Sequence, residues 1–154
     1  MDCRKGRGTK ALHTVKKIMP DSEKNPSLRS GAEPYVFTNC YSVNPGYYGK
    51  SYQAWTTGTS VWCLMGLYEG IMGVKRGYDG LQIEPCFPAE WEAAEVNRRF
   101  RGADYHIVIR NPNHLENGRA VIHADGMLWA SSVLPDYRDG KIHEIEVLLT
   151  ERND

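Results

Sequence analysis

Residues 61–84 read VWCLMGLYEGIMGVKRGYDGLQIE, and the fold turns on a change of period inside them. Up to Met72 the apolar residues Val61, Trp62, Leu64, Met65, Leu67, Tyr68, Ile71 and Met72 cover nearly the whole circumference of a helix, the pattern of an element enclosed by other protein. After Tyr78-Asp79-Gly80 the spacing becomes two: Leu81 and Ile83 alternate with Gln82 and Glu84, as in a half-buried strand. The chain is therefore expected to be helical up to about Gly77 and stranded from about Leu81, an α+β organisation in which the two kinds of element are segregated.

Upstream of this boundary, Ala11, Leu12, Val15, Ile18 and Met19 recur at helical spacing opposite Lys10, Lys16 and Lys17, and Pro20 closes the segment. Residues 21–32 have the composition of a connecting loop. Glu33-Pro34 then reads as a helix start for an apolar segment from Tyr35 to Val43. Pro45, Gly46 and Gly49 around Tyr47-Tyr48 make the next stretch a loop, and Thr57-Gly58-Thr59-Ser60 supplies the capping residues of the long apolar helix. Downstream, alternating runs centred on Tyr105–Ile109 and Ile145–Leu149 are separated by the turn pairs Arg101-Gly102, Asn117-Gly118, Asp125-Gly126 and Asp139-Gly140. These read as an antiparallel β-sandwich.

Composition narrows the function classes. Nineteen basic and nineteen acidic residues cancel in 154, which removes the global pull towards nucleic acid or anionic membrane. The apolar run from Val61 to Val74 contains Glu69 and is too short to span a bilayer, so neither nucleic acid nor membrane is an expected partner. Cys3, Cys40, Cys63 and Cys86 include no CxxC pair, so reduced thiols in a cytoplasmic setting are expected rather than a zinc knuckle or a disulfide framework. Cys63 reads as packing. His106, His123 and His143 fall on separate strands without metal-ligand spacing, and no metal or cofactor is expected. Trp55, Trp62 and Trp91 read as core or interdomain packing residues rather than sugar-stacking ones, whereas Trp129 follows an Asp-Gly turn and is a candidate for exposure.

Thr57-Gly58-Thr59-Ser60 places hydroxyls and amides at a helix start, where the first amides lack intrahelical partners and negative charge is favoured. Phosphate fits such a place, and so does a plain cap. The blocks around it are more specific. In order, Glu33-Pro34-Tyr35-Val36, Trp55 to Trp62, Glu69 to Val74, Tyr78 to Pro88 and Arg99 to Ala103 resemble the closing section of the cellobiose/chitobiose phosphorylase family, glycoside hydrolase family ninety-four.

That resemblance implies the terminal helices of an (α/α)6 barrel over residues 1–77, followed by a jelly-roll-like C-terminal sandwich over residues 78–154. It implies an inverting glycosyltransferase reaction, in which inorganic phosphate cleaves a β-linked disaccharide to an α-sugar 1-phosphate and a free sugar. Phosphate is then a substrate, and no cofactor is needed. Thr57 and Gly58 match the family's phosphate-binding Thr-Gly pair. Asn39, Tyr47 and Tyr48 are candidate sugar contacts, with loop packing as the plainer role. The family's catalytic aspartate, and its phosphate-binding histidine and arginine, belong to motifs upstream of Glu33. Asp2, Asp21 and His13 match none of them, so no catalytic residue is expected in this chain, and the rest of a phosphorylase chain is its expected partner. The uncovered apolar helix makes self-association a further expectation. Two rival readings stand beside this one: a non-catalytic carbohydrate-binding sandwich with Trp129 and the loop tyrosines as its platform, and a structural or oligomerising domain.

Overall fold

In a computed structural model the described residues are 2–20 and 22–152. The chain divides into two compact units, one made of Met1–Ala11 and Leu67–Asp154 and the other of Leu12–Gly66.

The larger unit is built on a five-stranded sheet. Strands β5 (Ala93–Phe100), β6 (Ala103–Arg110), β7 (Arg119–Ala124), β8 (Met127–Trp129) and β9 (Ile142–Thr150) lie in the order β5-β6-β9-β7-β8. The β5–β6 and β7–β8 links are the two-residue turns Arg101-Gly102 and Asp125-Gly126, with all four residues at positive φ, the geometry that matches strand twist. Strands β6 and β9 therefore lie where the alternation places them. One pairing differs from the expected purely antiparallel order: β6 and β9 run parallel, with Tyr105 opposite His143, Ile107 opposite Ile145 and Ile109 opposite Val147. The β7–β8 hairpin intervenes between them in sequence, so the chain re-enters beside β6 in the same direction, a relation that alternation within single strands does not encode.

On β6 and β9 every second residue is buried, giving two adjacent stripes: Ala103, Tyr105, Ile107 and Ile109, then His143, Ile145, Val147 and Leu149. These join Val96, Ile122 and Ala124 of the same sheet in one core with Phe87, Leu134 and a two-stranded ribbon, β3 (Val74–Arg76) and β4 (Leu81–Ile83). The ribbon is extended by Leu134 N to Leu81 O at 2.8 Å and Ile83 N to Ser132 O at 2.7 Å. Gly73 makes the ribbon's approach to residues 84–85 feasible: its φ is +69°, and a Cβ there would lie 2.0 Å from the Glu84 carbonyl oxygen. At about 25 cal/mol per Å² of apolar surface removed from water, burial of each large side chain here contributes roughly 1.5–3 kcal/mol.

The smaller unit has little regular structure. Helix α1 (Gly8–Ile18) enters it from the other unit; α2 (Ser27–Ser30) is a single turn; β1 (Cys40–Tyr41) and β2 (Ser51–Tyr52) form a short hairpin; α3 (Thr59–Met65) ends it and continues as a π-helical turn, Gly66–Ile71. Two expectations are corrected here. The segment Tyr35–Val43 is not a helix: it runs through a turn into β1. Tyr35, Val36, Phe37, Thr38, Tyr41 and Val43 are aromatic or β-branched, and such side chains lose rotamer freedom in a helix and pack well beside a strand. The long helix over Val61–Met72 is α-helical only to Met65, the change to π geometry beginning at Gly66 with Gly70 in the same turn, where glycine relaxes the backbone.

Candidate functional site

Every residue singled out for ligand contact, Asn39, Tyr47, Tyr48, Thr57 and Gly58, lies in the smaller unit. Asn39 is exposed at the entry to β1, its side-chain amide donating to Gln53 Oε1 at 2.9 Å. Tyr47 and Tyr48 are both exposed on the β1–β2 loop. The Arg29 guanidinium lies 5.9 Å from the Tyr48 ring centroid, within cation–π range, so one ring already has a partner. Gly49, at φ +83°, closes that loop by donating its N–H to Ser42 O at 2.8 Å and accepting from Asn25 Nδ2 at 2.9 Å.

Thr57 is the working cap of α3. Gly58, formally the cap residue, has no side chain to offer; instead Thr57 Oγ1 accepts the Thr59 N–H at 3.1 Å and lies 2.7 Å from Thr59 Oγ1. When Thr59 donates in that hydroxyl pair, both acceptor positions of Thr57 Oγ1 are filled, and its own proton points outward to any acceptor that arrives. Gly58 has φ −87°, which any residue adopts, and a Cβ built on it would make ordinary contact, 3.6 Å from Trp62 Cδ1 and 3.7 Å from Nε1. Neither backbone conformation nor packing therefore requires glycine at position 58. What glycine does there is leave the main chain open from outside.

Beside this turn are groups that sequence reasoning did not connect. Trp55 Nε1 donates to Glu33 Oε1 at 3.1 Å, and the Trp55 ring meets Tyr35 edge-on at 6.5 Å. The Glu33 carboxyl is held below the usual carboxylate range, by its own backbone N–H first and then by the indole N–H. It is thus ionised near neutrality and suited to accept hydrogen bonds, not to deliver a proton. Trp55 and Trp62, expected as packing residues, are 70% and 73% exposed. The signal that could have linked Glu33 to Trp55 is only the co-occurrence of two quoted blocks, since a 22-residue separation carries no periodicity. Asp2 and Lys10, both of the larger unit, are 3.9 Å apart, and Asp21 lies outside the described residues.

In the larger unit, burial first of all raises the Cys86 thiol, to about 12. Trp91 packs edge-on against Phe87 at 5.6 Å. His106 is bridged by Glu95 and Glu144, and buried His143 by Asp125 at 2.8 Å and Asp139 at 3.0 Å while stacked on Tyr137. Each imidazole has both nitrogens engaged, which is the arrangement of a structural ion-pair residue. Among the described residues, no group of three or more His, Cys, Asp or Glu side chains is placed to hold a metal ion, and no helix is long and apolar enough to cross a membrane.

Comparison with known proteins gives these positions their context. The family model for the catalytic domain of the glycosyl hydrolase 94 superfamily matches residues 2–73, a stretch that includes all five candidate residues. The chain is 42% identical over 148 residues to solabiose phosphorylase from Paenibacillus borealis, covering 95% of this chain and 19% of that protein. It is 33% identical over 153 residues to a 3-O-beta-D-glucopyranosyl-beta-D-glucuronide phosphorylase of the same organism, covering 97% and 20%. With N,N'-diacetylchitobiose phosphorylase from Vibrio proteolyticus the identity is 31% over 145 residues, covering 94% and 18%. The chain thus spans about a fifth of the length of these curated relatives.

Proposed function

Because this chain belongs to the glycoside hydrolase 94 family of disaccharide phosphorylases, we propose that it forms one wall of an inverting phosphorylase site. The reaction is attack of inorganic phosphate on the anomeric carbon of a β-linked disaccharide, releasing a free sugar and an α-sugar 1-phosphate. A carboxylic acid protonates the departing glycosidic oxygen, and the nucleophile arrives already charged, so no second carboxylate is needed as base. The acid belongs to the part of the relatives' length that this chain does not span. Residues 1–77 contribute terminal helices of an (α/α)6 barrel and residues 78–154 a sandwich, and the enzyme works in the cytoplasm.

Thr57 holds a phosphate oxygen by its outward hydroxyl proton, and Gly58 by its main-chain N–H. Fixing the nucleophile in line with the anomeric carbon lowers the entropic part of the barrier, and the donors stabilise its charge in the transition state. Asn39, Tyr47 and Tyr48 offer one amide and two rings to the sugar. The observation that carries the reading is the Thr57 hydroxyl, engaged with Thr59 at the head of α3, beside a glycine that neither backbone conformation nor packing demands.

The test is to combine this chain with a separately produced remainder of a phosphorylase and measure phosphate-dependent release of sugar 1-phosphate. Thr57→Ala is expected to lower kcat/KM for phosphate about a hundredfold. Gly58→Ala is expected to leave circular dichroism and unfolding unchanged while raising KM for phosphate, since its methyl covers an amide without straining the turn. Equal activity in wild type and Gly58→Ala would sink the phosphate role of the turn. A second reading has Trp129 behind it: this ring, 37% exposed, stands beside exposed Met127 and Leu128 on edge strand β8. Sugar binding by the chain alone, abolished by Trp129→Ala, would favour a binding module instead.

A further inference from the structure

Four thiols occupy three kinds of place: Cys40 is exposed, Cys63 and Cys86 are buried, and Cys3 is partly buried. Cys3 stands in a 3-10 turn, Cys3–Lys5, immediately before α1. Gly8, five residues on, lies so close to the segment after β4 that a Cβ on it would be 2.1 Å from Phe87 O and 2.6 Å from Cys86 O. Thr9 then accepts the Ala89 N–H on its hydroxyl at 3.1 Å. The amino-terminal turn is thus held against residues 86–89 by backbone contact.

The two cysteines also meet over a single step of a third segment. Cys3 Sγ rests on Gly70, 3.4 Å from where a Cβ would be, while Cys86 N donates to Ile71 O at 3.0 Å. Across this step the Cys3 thiol is a neighbour of the Cys86 thiol and, after burial, the next cause that raises it. Gly70 contributes by its missing side chain, since a methyl there would press on the Cys3 sulfur.

We propose that Cys3 and Cys86 are a dithiol that closes to an intramolecular disulfide under a small-molecule disulfide oxidant such as oxidised glutathione. Cys3, partly exposed, reacts first: its thiol releases a proton, the thiolate attacks one sulfur of the oxidant, the oxidant's S–S bond breaks, and the departing thiolate takes up a proton. Cys86 then loses its proton and attacks the Cys3 sulfur of the mixed disulfide, expelling the second small thiol. Two protein thiols are oxidised by two electrons, and one oxidant disulfide is reduced to two thiols. Burial, with Cys3 as the next contribution, raises the Cys86 thiol to about 12, so Cys86 is the slow resolving partner and not the first attacker. The bond would span the whole 12–66 unit in sequence, tying together the two chain segments between which that unit is inserted. Oxidation therefore constrains the unfolded chain over a long loop.

The experiment equilibrates the full chain at fixed ratios of reduced to oxidised glutathione until the thiol titre is constant, then quenches with acid for mass spectrometry. Expected are a loss of about 2 Da for the internal bond and a peptide joining Cys3 to Cys86, with Cys40 carrying glutathione in the same sample. The thermal midpoint should rise by about 5 °C on closure. Cys3→Ser should abolish both link and rise; Cys40→Ser should change neither. A stable glutathione adduct on Cys3 with Cys86 still a free thiol, in protein folded by circular dichroism, would overturn the proposal. So would a link from Cys3 to Cys40.

Discussion

The two units solve the same problem to very different degrees. In the larger one, fifteen residues from Val74 to Leu149 make a single buried core, most of them with only a few per cent of their surface exposed. In the smaller one the buried apolar residues are Leu12, Ala32, Val36 and Cys63, while Tyr35, Val43, Trp55, Val61, Trp62 and Leu64 are exposed. The unit with the self-sufficient core bears none of the five candidate phosphate and sugar contacts of the phosphorylase reading. The one bearing them lacks the apolar burial that offsets the entropy of ordering a chain. Exposed aromatic area of this extent marks a surface on which other protein or a ligand can pack.

The widest separation between the units should appear at glycine. Gly73→Ala in the ribbon combines a φ of +69° with a Cβ 2.0 Å from the Glu84 carbonyl oxygen, a backbone atom that moves only if β3 and β4 part. A loss above about 4 kcal/mol, or failure of the larger unit to fold, is expected by urea unfolding. Gly46→Ala, at φ +81° with nothing within 4 Å of the added carbon, should cost only the roughly 1–2 kcal/mol of the left-handed conformation. Similar losses at both positions would break the contrast.

Next in size is the core itself. Ile107→Ala on β6 removes a fully buried side chain between neighbours on both sides of the sheet register, and should cost about 2–5 kcal/mol. Thr57→Ala, which removes the oxygen that receives the Thr59 N–H, should cost about 1 kcal/mol. The loss should appear as increased hydrogen exchange in α3, with the sheet unaffected.

Legibility in the sequence divides along the same line. Strands β4, β6 and β9 could be read because one face of each is buried in the chain's own core, and that burial writes an alternation into the residues. The turns Arg101-Gly102 and Asp125-Gly126 could be read because positive φ selects glycine. The parallel β6–β9 pairing could not, because pairing partners 38 residues apart, such as His106 and Glu144, leave no mark within either strand. In the smaller unit, the apolar content of Tyr35–Val43 suggested a helix, yet these side chains are not arranged about a helical face in this unit at all. The Thr57-Gly58 turn was legible as a cap from its residue types. Its hydroxyl pair, and the absence of any steric reason for Gly58, required coordinates.

A smaller effect should follow pH. His143 is clamped by Asp125 and Asp139, stacked at 3.4 Å on Tyr137 and near Tyr105. Burial alone would lower its pKa, but hydrogen bonds to Asp125 and then Asp139 outweigh it, and the result lies above 6.5. Both aspartates lie below 3.8; at Asp125 burial opposes the shift, and the His143 hydrogen bond leads the causes that lower it. The histidine's contribution is therefore complete below about 6.5 and fades as pH rises through its raised folded value; the aspartates' contribution is complete above about 3.8 and fades as pH falls through their lowered ones. Urea midpoints across this range should form a plateau with a shoulder on each side, and His143→Gln should flatten the alkaline shoulder. His106, raised by Glu95 first and then Glu144, titrates in the same direction, so His106→Gln serves as the separate control.

The smallest effect bears hardest on what the contrast means. Trp62 is exposed on α3 and touches the space above Gly58, so in the isolated chain Trp62→Ala should change unfolding by no more than about 0.5 kcal/mol, as substitutions at exposed positions do. If the exposed face of the smaller unit is covered by the remainder of a phosphorylase, the same change should weaken reassociation with that remainder at least tenfold, since a large aromatic ring buried at an interface is where binding energy concentrates. Silence in the chain with a large cost on reassociation would show that the apolar surface is an unfilled interface. Silence in both would leave the exposed aromatics of this unit without a covering role, and would return weight to a unit that functions open to solvent.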